Sequence, residues 1–421
     1  MKIKRYNNIY GKNDNNWLKI VIAFVAIALL VFLIFSVADP IAKLFSGDTD
    51  DNSTTSSEFN PTVSYASTIT SQPDNSTDTT VSADSSDTTS SEPVVVRPDR
   101  TEYTTGLSVT LDVSVIKNAE KFSAFIENAV EQGVGNVIIE LKDADGYLYY
   151  NSKLKSAKTC KAISPDAVSN LSSIIAKLRE NNIAVTAKLH CFSDRLATEI
   201  TDAAVKYEGE NGGKWLDDTK ENGGKPWLNP YSDTACDYLF SIAKELTDMG
   251  VDNIMLSSLR FPGGHQRYAY YGYDSETVSR EECLSRFVSK MKKQVEYAKS
   301  EVWVEALVPH YIGQSAEIYG TNPFDYPADC VVVNLVAEDF GSSIFINNTT
   351  VQNPTKNYRD LIRIVITKCQ SMNNEAIDII ALLQPKGFEL EDVQNQIKEA
   401  KKYAATKYAL VIDGAEIPAV K

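Results

Sequence analysis

Ionisable side chains occur in or just after several apolar segments of the chain. Asp143 and Asp145 follow the segment Asn136–Leu141, and Glu305 lies within the segment Val302–Val308. Carboxyl groups placed in this way can act as general acids, general bases or nucleophiles. We therefore take Glu305, Asp143 and Asp145 as the candidate catalytic residues.

The two aspartates have a second interpretation. The sequence Asp-Ala-Asp-Gly at 143–146 is favourable turn chemistry, because an Asp side chain accepts hydrogen bonds from nearby backbone N–H groups and Gly tolerates left-handed conformations. A structural turn is therefore the alternative to a catalytic role for Asp143 and Asp145.

The three histidines of the chain allow a metal-binding hypothesis. His190, His265 and His310 each lie at or just past the end of a predicted strand, and together with Glu305 they could converge on zinc or another divalent ion. However, the spacing contains no His-x-x-x-His pair of the kind that marks many metal sites. We expect neither a metal nor another cofactor.

Polar and aromatic side chains at other segment ends are candidate ligand-binding residues. This set comprises Arg260, His190, His310, Trp215, Trp227, Tyr231, Asn334 and Gln384. Glu338 and Asp339 also follow the sixth predicted strand, and tyrosines 268, 270, 271 and 273 follow the fourth. Aromatic rings on loops can stack on flat apolar faces, including those of sugars. Alternatively, they pack long loops onto the fold.

The elements that would position these residues alternate between strand and helix patterns. The strands are predicted at Leu107–Val115, Asn136–Leu141, Ile183–Leu189, Asn253–Leu259, Val302–Val308, Cys330–Val336, Asp378–Leu383 and Tyr408–Ile412. Between most of them, apolar residues recur with helical spacing, as at Phe122, Phe125 and Ile126. Ser164-Pro165 is expected to begin the helix after the second strand.

Eight such units in about 320 residues predict a (β/α)8 TIM barrel, an α/β fold. The side chains described above would then meet at the carboxyl-terminal ends of the strands. A doubly wound open sheet is the alternative, but no Gly-x-Gly-x-x-Gly follows the first strand.

A long apolar segment precedes this region. Ile20–Ala38 has nineteen residues, of which only Ser36 is polar, enough nearly to span a hydrocarbon core of about 30 Å. Up to Lys43 the chain carries six Lys or Arg against two acids, so the positive-inside rule places the N-terminus in the cytoplasm. A cleaved signal peptide is the alternative, because Ser36-Val37-Ala38 resembles a cleavage site.

A polar segment follows the apolar one. Residues 44–96 contain nine acids and no Lys or Arg, and Ser, Thr, Asp and Asn dominate. Such a composition buries too little apolar surface to offset its ordering entropy, so we predict a disordered linker. An O-glycosylated stalk is also consistent with the composition.

These segments define the predicted organisation: a cytoplasmic tail (1–19), a transmembrane helix (20–38), a disordered linker (44–96) and an extracellular domain (97–421). The localisation would be the cell membrane, with a single pass. The net charge of −14 argues against nucleic-acid binding, which requires a basic surface. The six cysteines permit three disulfides, but most lie inside predicted elements, which favours buried reduced thiols.

Several motifs occur in a characteristic order across Thr104–Ile417. They are Lys-Asp-Ala-Asp-Gly at 142–146, Trp-Leu-Asn-Pro-Tyr at 227–231, Leu-Arg-Phe-Pro at 259–262, Ile-Gly-Gln at 312–314 and Leu-Leu-Gln at 382–384. In this respect the chain resembles the bacterial "putative glycosyl hydrolase" domain family of α-amylase-like barrels. The resemblance implies a (β/α)8 fold and a carbohydrate substrate.

The resemblance also exposes a departure at the fourth strand. The family pattern carries an aspartate, the implied nucleophile, where this chain has Ser257, whereas Glu305 remains a candidate general acid at the fifth strand. Retaining hydrolysis requires two suitably spaced carboxyl groups. The sequence therefore predicts either a membrane-anchored glycoside hydrolase acting on cell-envelope or environmental polysaccharide, or an inactive barrel that binds glycan or a cell-wall component. Whether the domain is an enzyme is left open.

Overall fold

The computed structural model describes residues 107–207, 212–263, 268–306, 318, 320, 322–346, 348–403, 405 and 407–420. The predicted tail, transmembrane helix and linker lie outside these residues, as do His265, His310 and the Ile-Gly-Gln motif at 312–314. Among the residues described, no helix is both long and apolar enough to cross a membrane.

Eight parallel strands close into a barrel. They are β1 (Leu107–Thr110), β2 (Val134–Lys142), β3 (Ala184–His190), β4 (Asn253–Ser257), β5 (Glu301–Ala306), β6 (Cys330–Asn334), β7 (Asp378–Leu383) and β8 (Lys407–Leu410). Each strand pairs with the next, and β1 pairs with both β2 and β8, which closes the sheet. The predicted (β/α)8 architecture is confirmed, and the open-sheet alternative is excluded by this closure.

Long helices follow most of the strands. Those described are α1 (Ala119–Gln132), α2 (Leu171–Glu180), α3 (Asp233–Asp248), α4 (Arg280–Glu296), α5 (Tyr358–Met372) and α6 (Leu390–Lys402). Short helical turns occur at Val113–Ile116, Lys155–Thr159, Ala197–Glu199, Asp274–Thr277, Pro323–Asp325 and Ala337–Phe340. The Asn118 side chain caps α1, and Gly133 ends it at φ 70°.

Two local predictions were wrong. Ser164-Pro165 does not begin a helix: Ile163–Val168 is a strand that pairs with Leu148–Tyr150, which in turn pairs with the end of β2. Ladder pairing outweighs the local cap signal there, and α2 begins only at Leu171. The first predicted strand ends at Thr110, because Asp112 caps a helical turn over Val113–Ile116.

Two small antiparallel ribbons lie outside the barrel sheet. Lys206–Tyr207 pairs with Ala269–Tyr270, which joins the insert after β3 to the loop after β4. Ser343–Ile346 pairs with Thr349–Gln352 between β6 and α5. The first ribbon holds the tyrosine-rich loop in place.

The barrel interior is layered from its amino-terminal to its carboxyl-terminal end. Alternate residues of β2 face inward, so Asn136, Ile138 and Glu140 each lie in a different layer. The lowest layer is a polar chain in which Asn136 bonds Ser108 and Thr186. Above it is a buried apolar cluster, described by Ile138, Met255, Trp303, Cys330, Val332, Ile380, Leu382 and Ala409. Charged side chains form the top layer.

All six cysteines are free and buried. Their burial agrees with the core positions predicted for these thiols. Cys236 on α3 and Cys283 on α4 both donate to the carbonyl of Pro230, at 3.4 and 3.3 Å. Burial raises the pKa of Cys191, Cys236, Cys283, Cys330 and Cys369 to about 12.

Candidate active site at the carboxyl ends of the strands

Glu305 lies at the centre of the top layer. It faces inward from β5, and only 3% of the residue is exposed. One carboxylate oxygen accepts a short hydrogen bond from the Ser257 hydroxyl on β4, and the other lies 3.4 Å from the Lys188 ammonium on β3. Two donors therefore hold both oxygens of this carboxylate in place.

Lys188 joins Glu305 to a second carboxylate, Glu140. Glu140 and Lys188 are directly paired across β2 and β3, and their side chains lie 3.6 Å apart. Because the two carboxylate oxygens lie 3.6 and 3.4 Å from the same Lys188 nitrogen, they can be no more than 7.0 Å apart. This upper limit is compatible with the spacing of about 5–5.5 Å between the two carboxyl groups of retaining glycosidases.

His190 and Ser258 continue this network. The Nε2 atom of His190 lies 3.4 Å from Glu140 Oε2, and its Nδ1 atom lies 2.8 Å from the Ser258 hydroxyl. Ser258 adopts φ 48°, in the left-handed region that a serine seldom occupies. The chain of contacts thus runs from Ser258 through His190, Glu140, Lys188 and Glu305 to Ser257, the residue beside which it began.

Asp339 brings a third carboxyl group to this end of the barrel. It lies on the helical turn Ala337–Phe340 after β6, where the Asn334 side-chain amide donates to it at 3.0 Å. Asp339 is exposed to solvent, but partial desolvation and the charges of Glu305 and Glu338 raise its pKa, although the Asn334 hydrogen bond and Lys188 oppose the shift.

The pKa of Glu140 shifts in the opposite direction. Burial would raise its pKa, but the hydrogen bond with His190 and the charge of Lys188 outweigh it and lower the pKa to about 2. The carboxyl-terminal end of the barrel therefore holds one carboxyl group with a raised pKa, Asp339, and one with a lowered pKa, Glu140. Environments that separate pKa values in this way are typical of acid–base pairs in enzymes.

The structure places Asp143 and Asp145 in a loop network. Asp143 accepts hydrogen bonds from the backbone N–H groups of Asp145 and Tyr147, which is the turn role considered as an alternative. Asp145 forms ion pairs with Lys225 at 2.5 Å and Arg195 at 3.5 Å. These contacts favour a structural role for both aspartates over catalysis.

Lys142, beside that turn, belongs to a separate buried pair. Its ammonium lies 2.9 Å from Asp194, and both side chains have zero exposure. It also donates to the His190 carbonyl at 2.6 Å, while Asp194 accepts from the Ala197 N–H. The pair fixes the loop after β3 to the end of β2, just outside His190.

Neither tryptophan of the insert presents a ring to a ligand. Trp215 is 1% exposed and Trp227 is 4% exposed. The indole N–H of Trp227 donates to Asp217, and the guanidinium of Arg260 lies 4.6 Å from its ring centroid. These rings pack the insert onto the barrel, the alternative that the sequence left open, and they are not placed for sugar stacking.

Arg260 and Tyr231 also take part in this packing. Arg260 stacks on Trp227 and donates to the Phe261 carbonyl at 3.2 Å, rather than pairing with a carboxylate among the described residues. Tyr231 packs against Phe261 and Tyr271, and its hydroxyl donates to the Val278 carbonyl. Both side chains therefore pack within the loops at the end of the barrel and stabilise them.

Exposed tyrosines lie beyond this packed layer. Tyr207, Tyr268 and Tyr273 are 40%, 49% and 68% exposed, and the ring of Tyr273 meets that of half-buried Tyr270 edge-on at 6.5 Å. We call Tyr207, Tyr268, Tyr270 and Tyr273 the tyrosine ridge. The ribbon of Lys206–Tyr207 with Ala269–Tyr270 holds it together.

Asn334 and Gln384 position the Asp339 turn. Asn334 bonds Asp339 and accepts from the Val336 N–H. The buried side chain of Gln384 accepts from the Glu338 N–H at 3.1 Å and donates to the Lys386 carbonyl. Their predicted place at the mouth is correct, and their contacts are with protein groups.

Sequence reasoning missed Glu140 and Lys188 as site residues. Both are charged residues within otherwise apolar barrel strands, and Glu140 is in phase with inward-facing Asn136 and Ile138. The two-residue period of a strand could therefore have identified Glu140 as an inward residue near the mouth. Glu140 and Lys188 each lie two residues before the end of their strand, whereas the candidate residues were taken from positions at or after the strand ends.

Comparison with known proteins gives the class of this domain. The family described as "Putative glycosyl hydrolase domain" matches residues 108–411, and the chain belongs to that family. The resemblance drawn from the sequence motifs is thereby confirmed. No curated protein matches the chain.

Solved structures give a weaker likeness. A hypothetical protein from Ruminiclostridium thermocellum is 26% identical, over 44% of this chain and 92% of that one, with a TM-score of 0.39. An α-L-fucosidase from Paenibacillus thiaminolyticus is 13% identical over 75% and 47%, with a TM-score of 0.47. An α-amylase from Lactobacillus plantarum is 12% identical over 75% and 73%, with a TM-score of 0.46. The barrel assignment rests on the strand pairing, not on these scores.

Proposed function

We propose that this domain hydrolyses glycosidic bonds at the carboxyl ends of its barrel strands, acting on cell-envelope or environmental polysaccharide. The observation that supports this is the convergence of Glu305, Glu140 and Asp339 around Lys188, with the pKa of Asp339 raised and that of Glu140 lowered. An oxocarbenium-like transition state needs both a proton donor and a nearby negative charge. This arrangement offers both.

The contacts suggest roles that differ from the sequence-based hypothesis. Glu305 was expected to be the general acid, but hydrogen-bond donors face both of its oxygens. We assign Glu305 as the carboxylate that acts as nucleophile or general base. We assign Asp339 as the proton donor, because its surroundings raise its pKa, the direction that a general acid requires.

The absence of a carboxylate at position 257 fits this reassignment. The Ser257 hydroxyl donates to Glu305, so β4 supports the reactive carboxylate instead of supplying it.

Removing a general acid typically costs about 10²- to 10⁴-fold in rate. Asp339→Asn should therefore lower turnover by roughly that factor.

The test is release of reducing ends from a panel of envelope and plant polysaccharides. Glu305→Gln and Asp339→Asn should each abolish most of the release, while Glu338→Gln, an exposed neighbouring carboxylate, should retain it. NMR of the first product would identify the anomer and distinguish nucleophile from base. Release that survives both site variants would refute the assignment.

The tyrosine ridge is the proposed contact for the polymer. Its exposed rings offer flat faces with polar hydroxyl edges, which suit sugar rings better than the buried tryptophans do. Tyr273→Ala should weaken polysaccharide binding by about fivefold, equivalent to roughly 1 kcal/mol. Tyr297→Ala, which removes an exposed tyrosine on the α4 side, is the matched control.

One observation favours the alternative of an inactive, glycan-binding barrel. The Lys188 ammonium contacts both Glu140 and Glu305, so it occupies a carboxylate oxygen that a nucleophile would need and opposes positive charge in a transition state. If the alternative holds, no polysaccharide in the panel will be cleaved, yet binding will still depend on Tyr273.

The proposed location is the outer face of the cell membrane, with the domain anchored by residues 20–38 and separated from it by the linker 44–96. The charge asymmetry across the apolar segment supports this topology. Protease added to intact cells should cut the linker and release the domain. Cutting only after lysis would contradict this orientation.

A further inference from the structure

Ser258, His190 and Glu140 form a constellation that glycoside hydrolysis does not require. The Ser258 hydroxyl lies 2.8 Å from His190 Nδ1, and His190 Nε2 lies 3.4 Å from Glu140. A nucleophile next to a base, with the base oriented by a third group, is the arrangement that activates serine. We propose that the mouth of this barrel also carries a serine esterase site, which removes small acyl groups from hydroxyls of its glycan.

The backbone at Ser258 supports this assignment. Its φ of 48° costs free energy for a residue with a Cβ, and glycine would be the usual occupant. The strained conformation places the hydroxyl against His190 at the point where β4 ends. Strain of this kind at a strand end is often retained for function.

The imidazole is oriented for proton transfer. With a proton on Nε2 donated to Glu140, Nδ1 is left to accept the Ser258 proton. Glu140 stays ionised because Lys188 and His190 lower its pKa. It can therefore hold one tautomer and stabilise the imidazolium that forms during the reaction.

The steps balance with water as the only co-reactant. Ser258 Oγ attacks the ester carbonyl as its proton passes to His190 Nδ1, and the tetrahedral intermediate expels the sugar oxygen, which takes that proton. Water, deprotonated by His190, then attacks the acyl-serine. Serine regains its proton from His190, and the carboxylic acid leaves.

Arg260 is the candidate donor for the developing oxyanion. Arg260 follows Ser258 by two residues, and its buried Nε atom has no hydrogen-bond partner among the described residues. Its guanidinium is held against Trp227 at 4.6 Å. A fixed positive donor at the same strand end is the group that an acyl-transfer intermediate would use.

The full chain, purified in detergent, should react with a fluorophosphonate probe, with the adduct mapped to Ser258 by mass spectrometry, and should hydrolyse p-nitrophenyl acetate. Ser258→Gly keeps the backbone conformation and should lower the hydrolysis rate by about 10²-fold or more, as should His190→Gln. Ser193→Ala is the control, because that hydroxyl donates to the Ala144 carbonyl nearby and should not affect the rate.

An adduct on another serine of the folded wild-type chain, or no adduct on Ser258, would overturn the esterase site. So would a rate that His190→Gln leaves unchanged. The esterase readouts do not depend on polysaccharide cleavage. Failure here is therefore distinguishable from failure of the proposed glycosidase.

Discussion

Two lysines at the ends of neighbouring strands have opposite surroundings. Lys142 on β2 is completely buried, and a single carboxylate, Asp194, neutralises it. Lys188 on β3 is about one-fifth exposed and lies between two carboxylates, Glu140 and Glu305, with Asp339 close enough to influence them. A closed one-to-one pair stabilises a loop, whereas an excess of carboxylates around one ammonium leaves negative charge available for chemistry.

The largest effect is expected from breaking the closed pair. Lys142→Met leaves Asp194 buried without its counter-charge, which should lower the free energy of unfolding by about 3–5 kcal/mol. Urea denaturation measures the loss. Lys117→Met is the control, because the ion pair of Lys117 with Asp166 lies on the surface and should contribute less than about 1 kcal/mol.

A second variant sharpens this prediction. In Lys142→Met/Asp194→Leu no buried charge remains, so part of the lost stability should return. If Lys142→Met costs no more than Lys117→Met, the pair is not the structural clamp that its burial indicates.

Removing Lys188 from between Glu140 and Glu305 should change activity more than stability. Lys188→Met removes a positive charge that lowers the pKa of Glu140, so Glu140 becomes harder to ionise and the acid limb of the pH–rate profile should move to higher pH. Lys225→Met, which removes one of the two ion-pair partners of Asp145, should leave the profile in place.

An unshifted acid limb in a folded Lys188→Met protein would contradict this account. It would mean that protonation of Glu140 does not limit the rate.

The smallest effect is on the pH dependence of folding. The pKa of Glu140 is lowered from 4.5 to about 2, so Glu140 adds stability above pH 4.5 that is lost as the pH falls toward 2. Asp339 has a raised pKa, so its contribution is most favourable when it is protonated and is lost as the pH rises from 3.8 through the folded value. Glu140→Gln should flatten the first slope, and Asp339→Asn the second.

Urea unfolding at a series of pH values between about 2 and 6 measures both slopes. Glu338→Gln serves as the control for a nearby exposed carboxyl. Identical profiles for Glu140→Gln and the wild type would show that the contacts with Lys188 and His190 do not lower the pKa of Glu140 in solution.

The sequence predicts the barrel well because the alternation of strand and helix patterns recurs along the domain. Every predicted barrel strand overlaps an observed one, since parallel strands buried on both faces have a distinctive composition. The helix predicted at Ser164-Pro165 failed because pairing with Leu148–Tyr150 is a contact between segments, which a local cap pattern cannot reveal.

The site was predictable only in part. Glu305 was identified from its strand, and the places of His190, Asn334 and Gln384 at the mouth were correct. The mutual arrangement was not predictable, because the contacts of Lys188 with Glu140 and Glu305 join three strands from distant parts of the chain. Burial of Trp215 and Trp227 likewise depends on how the insert folds back, which aromatic composition does not encode.

The six buried thiols give the domain built-in reporters of its own opening. A thiol with a raised pKa and no solvent contact reacts slowly with alkylating reagents, so labelling requires the structure around it to open. Cys330 lies inside the barrel, Cys236 and Cys283 lie between α3 and α4, and Cys369 lies on α5. The order in which these sites become alkylated would therefore map which part of the barrel separates first.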